Sequence, residues 1–206
     1  MARYPTRDES VTPREEMPAV ANPVPLGLSV FAFTTAVLGA YFAGFIVPYN
    51  TPGSRLAVGA IVAVGGLIEL LAGMWEFRRN DTVAATVFSS YGGFLAAIGL
   101  VLLLGLIVGG IIHLALGLFF LTWTVFLGVI LLAALRGIHF LTPTLGLLFA
   151  FSLIVTIGQL AFDNRVLLII GGWIGIVAAL VTWAAVLVQI TGATSLQESL
   201  RRPATR

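Results

Sequence analysis

Two carboxylates stand seven residues apart inside a long apolar run: Glu69 and Glu76. That spacing puts both on one face of a helix, and Gly65, Gly66 and Gly73 flank the face. A carboxylate at membrane depth is costly and faces a cavity or a partner. Glu76 is close to Arg78 and Arg79, so a salt bridge or a hydrated contact competes with any functional role. Glu69 lies about two helical turns deeper. There a carboxyl group reads as a proton carrier or a pore-lining group, with a buried hydrogen bond to another helix as the alternative.

Hydroxyl groups form three further stripes. Thr144, Leu148, Ser152 and Gln159 recur at i, i+4, i+8 and i+15. Phe31, Thr34, Thr35 and Leu38 share a helical face, and Ser89, Ser90 and Tyr91 precede Gly92-Gly93. Hydroxyls mixed with bulky apolar groups suit a narrow path for a small, partly apolar solute. Each stripe taken alone is more often a set of helix–helix hydrogen bonds. Metal and nucleophile chemistry is poorly provided for. Cysteine is absent, and the two histidines, His113 and His139, are far apart. No Gly-x-Ser-x-Gly, His-Glu-x-x-His or paired-Asp motif occurs. We therefore expect no enzyme, no cofactor and no metal.

The elements that carry these residues follow from composition. Of 206 residues, 59% are hydrophobic and 10% charged, against roughly 25% charged in a soluble domain. Six apolar segments, at 26–48, 55–77, 83–108, 111–134, 140–162 and 166–190, are each long enough to cross a hydrocarbon core of about 30 Å. Backbone groups in lipid must pair internally, so the segments are helices; the alternation a barrel needs is missing. The expected fold is an all-α integral membrane protein of the cell membrane, six transmembrane helices in one bundle spanning 22–192. Residues 1–21 form a polar tail, taken as disordered and without the apolar segment of a signal peptide. Residues 193–206 form a second short tail. All eleven cationic side chains are arginine, nine in the tails and even-numbered loops and two in the odd-numbered ones, which predicts both termini in the cytoplasm. The small net charge of +2 gives no footing for nucleic acid.

The first segment opens on Asn22-Pro23-Val24-Pro25-Leu26-Gly27-Leu28. Asn22 is placed as the N-cap and Pro23 as the first helical residue, where a missing N–H is harmless. Gly27 leaves room for a close approach. A helix N-terminus is also an anion site, which the charge rule would turn toward an inner vestibule. Small-residue lines at Ala36, Ala40 and Gly44 and at Gly171 and Gly175 predict tight helix crossings.

This opening, with the run from Gly65 through Trp75-Glu76-Phe77 to Ser89-Ser90-Tyr91-Gly92-Gly93 and with Gly172-Trp173-Ile174-Gly175, resembles the acetate uptake transporter family, also called succinate–acetate permeases. The likeness covers about 22–190. It implies a homo-hexamer with one pore per protomer, carrying acetate and, in some members, succinate or other short carboxylates, by channel-like or proton-linked movement. It further implies a hydrophobic constriction at Phe31, Tyr91 and Leu148, with Asn22 and Glu76 at the positions of the signature Asn and of an acidic residue. At Glu69 many members would be expected to carry Gln. The vestibule or pore-lining candidates are then Asn22, Thr34, Thr35, Glu69, Glu76, Ser89, Ser90, Thr144 and Ser152. A dry ring would tolerate the acetate methyl and resist hydrated inorganic ions. Both the anion and the neutral acid remain open as the permeant. A channel for formate, ammonia or urea, or a non-transporting sensory or assembly protein, fits the same composition.

Overall fold

The computed structural model describes residues 21–104, 112–137, 142–161 and 163–201. They form six helices: α1 (Val24–Ala43), α2 (Pro52–Arg78), α3 (Thr82–Leu103), α4 (Ile112–Gly137), α5 (Thr142–Leu160) and α6 (Arg165–Arg201). All six are long and apolar enough to cross a membrane. Gly109-Gly110, the expected break between the third and fourth spans, lies outside the described residues, as do His139 and most of the N-terminal tail.

Local chemistry sets the boundaries. Thr51 caps α2 by accepting from the Ser54 N–H at 3.3 Å, with Pro52 at the first helical position. Asp81 caps α3 through the Ala84 N–H at 2.9 Å. The start of α1 differs from expectation. Its N-cap is Pro23, which has αR dihedrals and no side chain to cap with. Asn22, one residue earlier, still accepts from the Val24 N–H at 3.1 Å. The first span also ends at Ala43 rather than at 48. Gly44 takes the left-handed conformation (φ 68°) and turns its N–H back onto Tyr41 O, which closes the helix. At the other end of the chain, α6 runs unbroken past 192 to Arg201.

The helices lie side by side in the order α3, α2, α1, α6, α5, α4. Rings close the circle between α3 and α4: Phe94 stacks on Phe119 and Trp123 at centroid distances of 5.0 and 4.4 Å. Two glycine seams bring backbones together. Gly59, Gly66 and Gly73 recur every seven residues along α2 and face Gly99, Gly92 and Ser89 of α3. A β-carbon at Gly66 or Gly92 would strike the backbone of the opposite helix. Gly39 meets Gly172 and Gly175 in the same way where α1 crosses α6. The close crossing expected on the line Ala36, Ala40 and Gly44 is made by Gly39 instead, and Gly44 ends the helix. Gly27 does allow a close approach: a β-carbon there would lie 2.9 Å from the Phe88 ring of α3.

The seams set a stability expectation. Gly66→Ala forces α2 and α3 apart and costs about 1–3 kcal/mol as overpacking. Gly146→Ala, where the added carbon meets open space, is neutral or stabilising, since alanine is the better helix former by about 1 kcal/mol. Thermal unfolding in detergent, followed by circular dichroism, should lower the midpoint for the first variant only.

Candidate functional site

Bulky side chains from α1, α3, α4 and α5 fill the centre of the ring. Phe31, Leu38, Phe42, Tyr91, Phe94, Phe120, Leu148 and Phe151 belong to one buried cluster. Within it Phe31 and Tyr91 are ring neighbours, 4.5 Å between centroids. The Tyr91 hydroxyl is hydrogen-bonded to Thr35 Oγ1 at 2.9 Å, which ties α3 to α1. Phe31, Tyr91 and Leu148 are 3%, 2% and 1% exposed, so all three are buried. Phe31 is about two turns into α1.

A cavity lies at each end of the layer. One, of about 200 Å³, sits among the starts of α1, α3 and α5 and the later part of α6; Val24, Leu28, Phe31, Phe88, Thr144 and Gln189 are on its wall. The other, of about 50 Å³, lies among the ends of α1, α3 and α5 and the start of α4. Its wall includes Tyr41, Phe42, Tyr49, His113, Gln159 and Asp163. Phe31 lines the first cavity and Phe42 the second, and both belong to the apolar cluster between them.

The remaining sequence candidates fall into separate roles. Asn22 Oδ1 accepts from Arg79 Nη1 at 2.6 Å. Arg79 also pairs with the buried Glu76 carboxylate at 3.3 Å. This ion pair is one of the two alternatives for Glu76, and the Arg79–Asn22 bond links the end of α2 to the start of α1. Glu69 is fully buried, and neither carboxylate oxygen has a hydrogen-bond partner. The Thr34 hydroxyl donates to Val30 O of its own helix at 2.8 Å, while its methyl group covers Gly65 of α2. Ser89 rests on Gly73. Ser90 opens instead onto the groove between α3 and α4, beside Phe94 and Trp123. Ser152 bonds Thr124 at 2.7 Å, and Thr124 bonds Thr156 at 3.1 Å, fastening α4 to α5. Thr144 accepts from Thr182 of α6 at 3.5 Å. Among the candidate hydroxyls, those of Thr35, Ser152 and Thr144 join helices, and Thr144 also lines the first cavity.

A polar cluster at the second cavity was not singled out in the sequence. Tyr49 donates to Asp163 Oδ1 at 2.8 Å and accepts from Gln159 Nε2 at 3.3 Å. The Arg165 guanidinium lies 4.5 Å from the centre of the Tyr49 ring and donates to Phe42 O. Burial first, then the Asp163 charge, pushes the Tyr49 phenol well above its ordinary value, so it remains a donor. Gln159 was visible as the last member of a stripe. Tyr49, Asp163 and Arg165 read only as turn residues, since nothing local signals that two loops meet.

Comparison with known proteins agrees with this architecture. Residues 9–200 match the model of the GPR1/FUN34/yaaH family. Acetate permease A of Emericella nidulans is 35% identical over 186 residues, covering 79% of this chain; the chain spans 59% of that protein's length. The succinate-acetate/proton symporter SatP of Escherichia coli is 34% identical over 164 residues, 77% of this chain and 82% of the relative. Ammonia transport outward protein 3 of Saccharomyces cerevisiae is 34% identical over 175 residues, covering 79% of this chain and 60% of its own length. The solved structure of the bacterial acetate channel SatP superimposes with a TM-score of 0.72 at 28% identity, covering 91% of this chain and 99% of the other. The chain is a multi-pass membrane protein of six helices and belongs to the GPR1/FUN34/yaaH family.

Proposed function

We propose that this chain transports acetate and other short carboxylates through the middle of its own helix ring, and that it is not an enzyme. The observation that carries the reading is the buried apolar cluster containing Phe31, Tyr91 and Leu148 between two cavities at opposite ends of the bundle. The names of the acetate permease, the symporter and the channel it resembles support the substrate. The layer acts as the constriction. It accepts a methyl group and excludes hydrated inorganic ions, because removing water from a charge is expensive. Thr144, on the wall of the larger cavity, serves the vestibule. Asn22 and Glu76, joined through Arg79, brace the chain at that end. The homo-hexamer implied by the family resemblance is part of the proposal, and the mass of the detergent-solubilised complex tests it. One relative's name favours a second permeant, ammonia; competition of labelled acetate uptake by ammonium salts separates the two.

The constriction sets the first expectation. Leu148→Ala and Phe31→Ala each enlarge the opening, so uptake of carboxylates larger than acetate rises several-fold relative to acetate in proteoliposomes. Truncating a buried Leu also costs about 2–5 kcal/mol of stability, so size-exclusion profiles of the variants accompany the assay. A folded Leu148→Ala protein with the wild-type size preference removes Leu148 from the gate.

Orientation sets the second. We place the larger cavity at the cytoplasmic face, in line with the nine arginines on that side and two on the other. The chain has no cysteine, so single cysteines report cleanly. A membrane-impermeant maleimide should label Gly53→Cys in intact cells and Thr82→Cys only after permeabilisation. The reverse pattern inverts the topology.

A further inference from the structure

We infer that Glu69, as the carboxylic acid, is the hydrogen-bond donor that receives the substrate carboxylate beside the Phe31–Tyr91 layer, so that passage depends on a proton held by the protein. The inference rests on the carboxylate reading above and names a specificity-determining residue for it.

The register of α2 places the side chain. Gly65, four residues before Glu69, lies under Thr34 of α1; Gly66 and Gly73, three before and four after, lie against α3 at Gly92 and Ser89. A residue between those positions on the same helix points into the wedge between α1 and α3. The Thr35–Tyr91 hydrogen bond bridges the same two helices. Glu69 is 0% exposed, and Leu70, the next residue, lies against Gly92, the neighbour of Tyr91.

Partner accounting separates Glu69 from its neighbours. Tyr91 and Thr35 are bonded to each other, and the Thr34 hydroxyl is held by its own helix. Ser89 Oγ, the other buried oxygen in the wedge without a partner, sits a turn away at Gly73. Both Glu69 oxygens are free. The titratable group facing it from α3 is Tyr91. Neither α1 nor α3 carries a charged residue. On α2 itself, Glu76 is about two turns away and paired with Arg79. No counter-charge is therefore at hand, and a lone carboxylate would bear the whole cost of leaving water. The carboxylic acid instead offers one O–H donor, which an incoming carboxylate can accept in a charge-assisted bond. Ionised, the same group repels an anion. The proton stays on Glu69, so no bond is broken in the step.

Labelled acetate uptake into proteoliposomes tests this, with equal pH on both sides, a fixed acetate anion concentration and protein-free liposomes subtracted. Wild-type uptake should fall several-fold from mildly acidic to mildly alkaline pH. Glu69→Gln should retain uptake across that range with a flat profile, because an amide N–H donates at any pH. Infrared difference spectra of the same samples should show a protonated-carboxyl band that disappears over the same pH range and is missing in Glu69→Gln. Three results overturn the inference: a Glu69→Gln profile that keeps the wild-type pH dependence, a folded variant inactive at every pH, or infrared spectra identical in the two proteins. A wild type that carries no acetate at any pH instead overturns the carboxylate reading, and the donor role with it. The infrared titration distinguishes that case from a Glu69 that never holds a proton.

Discussion

Backbone contact at the glycine crossings is the constraint on which the rest of the bundle depends. Where α2 meets α3 at Gly66 and Gly92, no side chain separates the helices. Lipid tails are as apolar as leucine, so membrane helices associate through close packing and hydrogen bonds rather than hydrophobic exclusion. A seam of this kind has one register, because sliding it would bring β-carbons onto backbone. Gly39 with Gly172 does the same for α1 and α6. Fixing those two pairs also fixes where Phe31, Thr35, Glu69 and Tyr91 stand relative to one another.

Hydroxyl bonds then complete what the seams begin. Thr35 with Tyr91, Ser152 with Thr124, and Thr182 with Thr144 each join two helices in the buried interior. A hydroxyl so engaged presents its carbon atoms to the remaining space. The interior thus becomes apolar although its sequence contains many polar residues. This explains how a layer that includes a tyrosine can exclude water, and why the free Glu69 carboxyl is distinct among its neighbours.

The helices themselves were legible in the amino-acid sequence, because twenty apolar residues in a row have few other uses. Their ends were less so. The 26–48 span overran Ala43 because Phe45, Ile46 and Val47 are as apolar as the helix before them, while the stop is the left-handed Gly44. The glycine seams were half visible. Gly65, Gly66 and Gly73 were marked on α2, but the choice of Gly39 over Ala40 depends on how α1 is rotated, which the partner helix decides. Of the site, Glu76 with its arginine could be read from local spacing. Tyr49 with Asp163 joins residues 114 apart in the chain, and a contact of that range leaves no trace in local pattern.

The two ends of the bundle are built differently, and the difference bears on how a carboxylate would cross. At the first cavity Asp81 is on the wall, and its side chain caps α3 through the Ala84 N–H, while Arg79, two residues earlier, is held between Asn22 and Glu76. At the second cavity Asp163 and the Tyr49 hydroxyl are on the wall itself, with Arg165 against the Tyr49 ring. An anion approaching there meets a carboxylate whose charge is answered by a phenol donor and a neighbouring guanidinium, which lowers the repulsion without creating a tight anion site. Mouths of this kind suit the proposed passage, since conduction needs entry favourable enough to begin and loose enough to end. On the proposed reading, selectivity resides in the middle of the bundle, where desolvation distinguishes a carboxylate bearing a methyl group from a hydrated inorganic ion and Glu69 offers a donor.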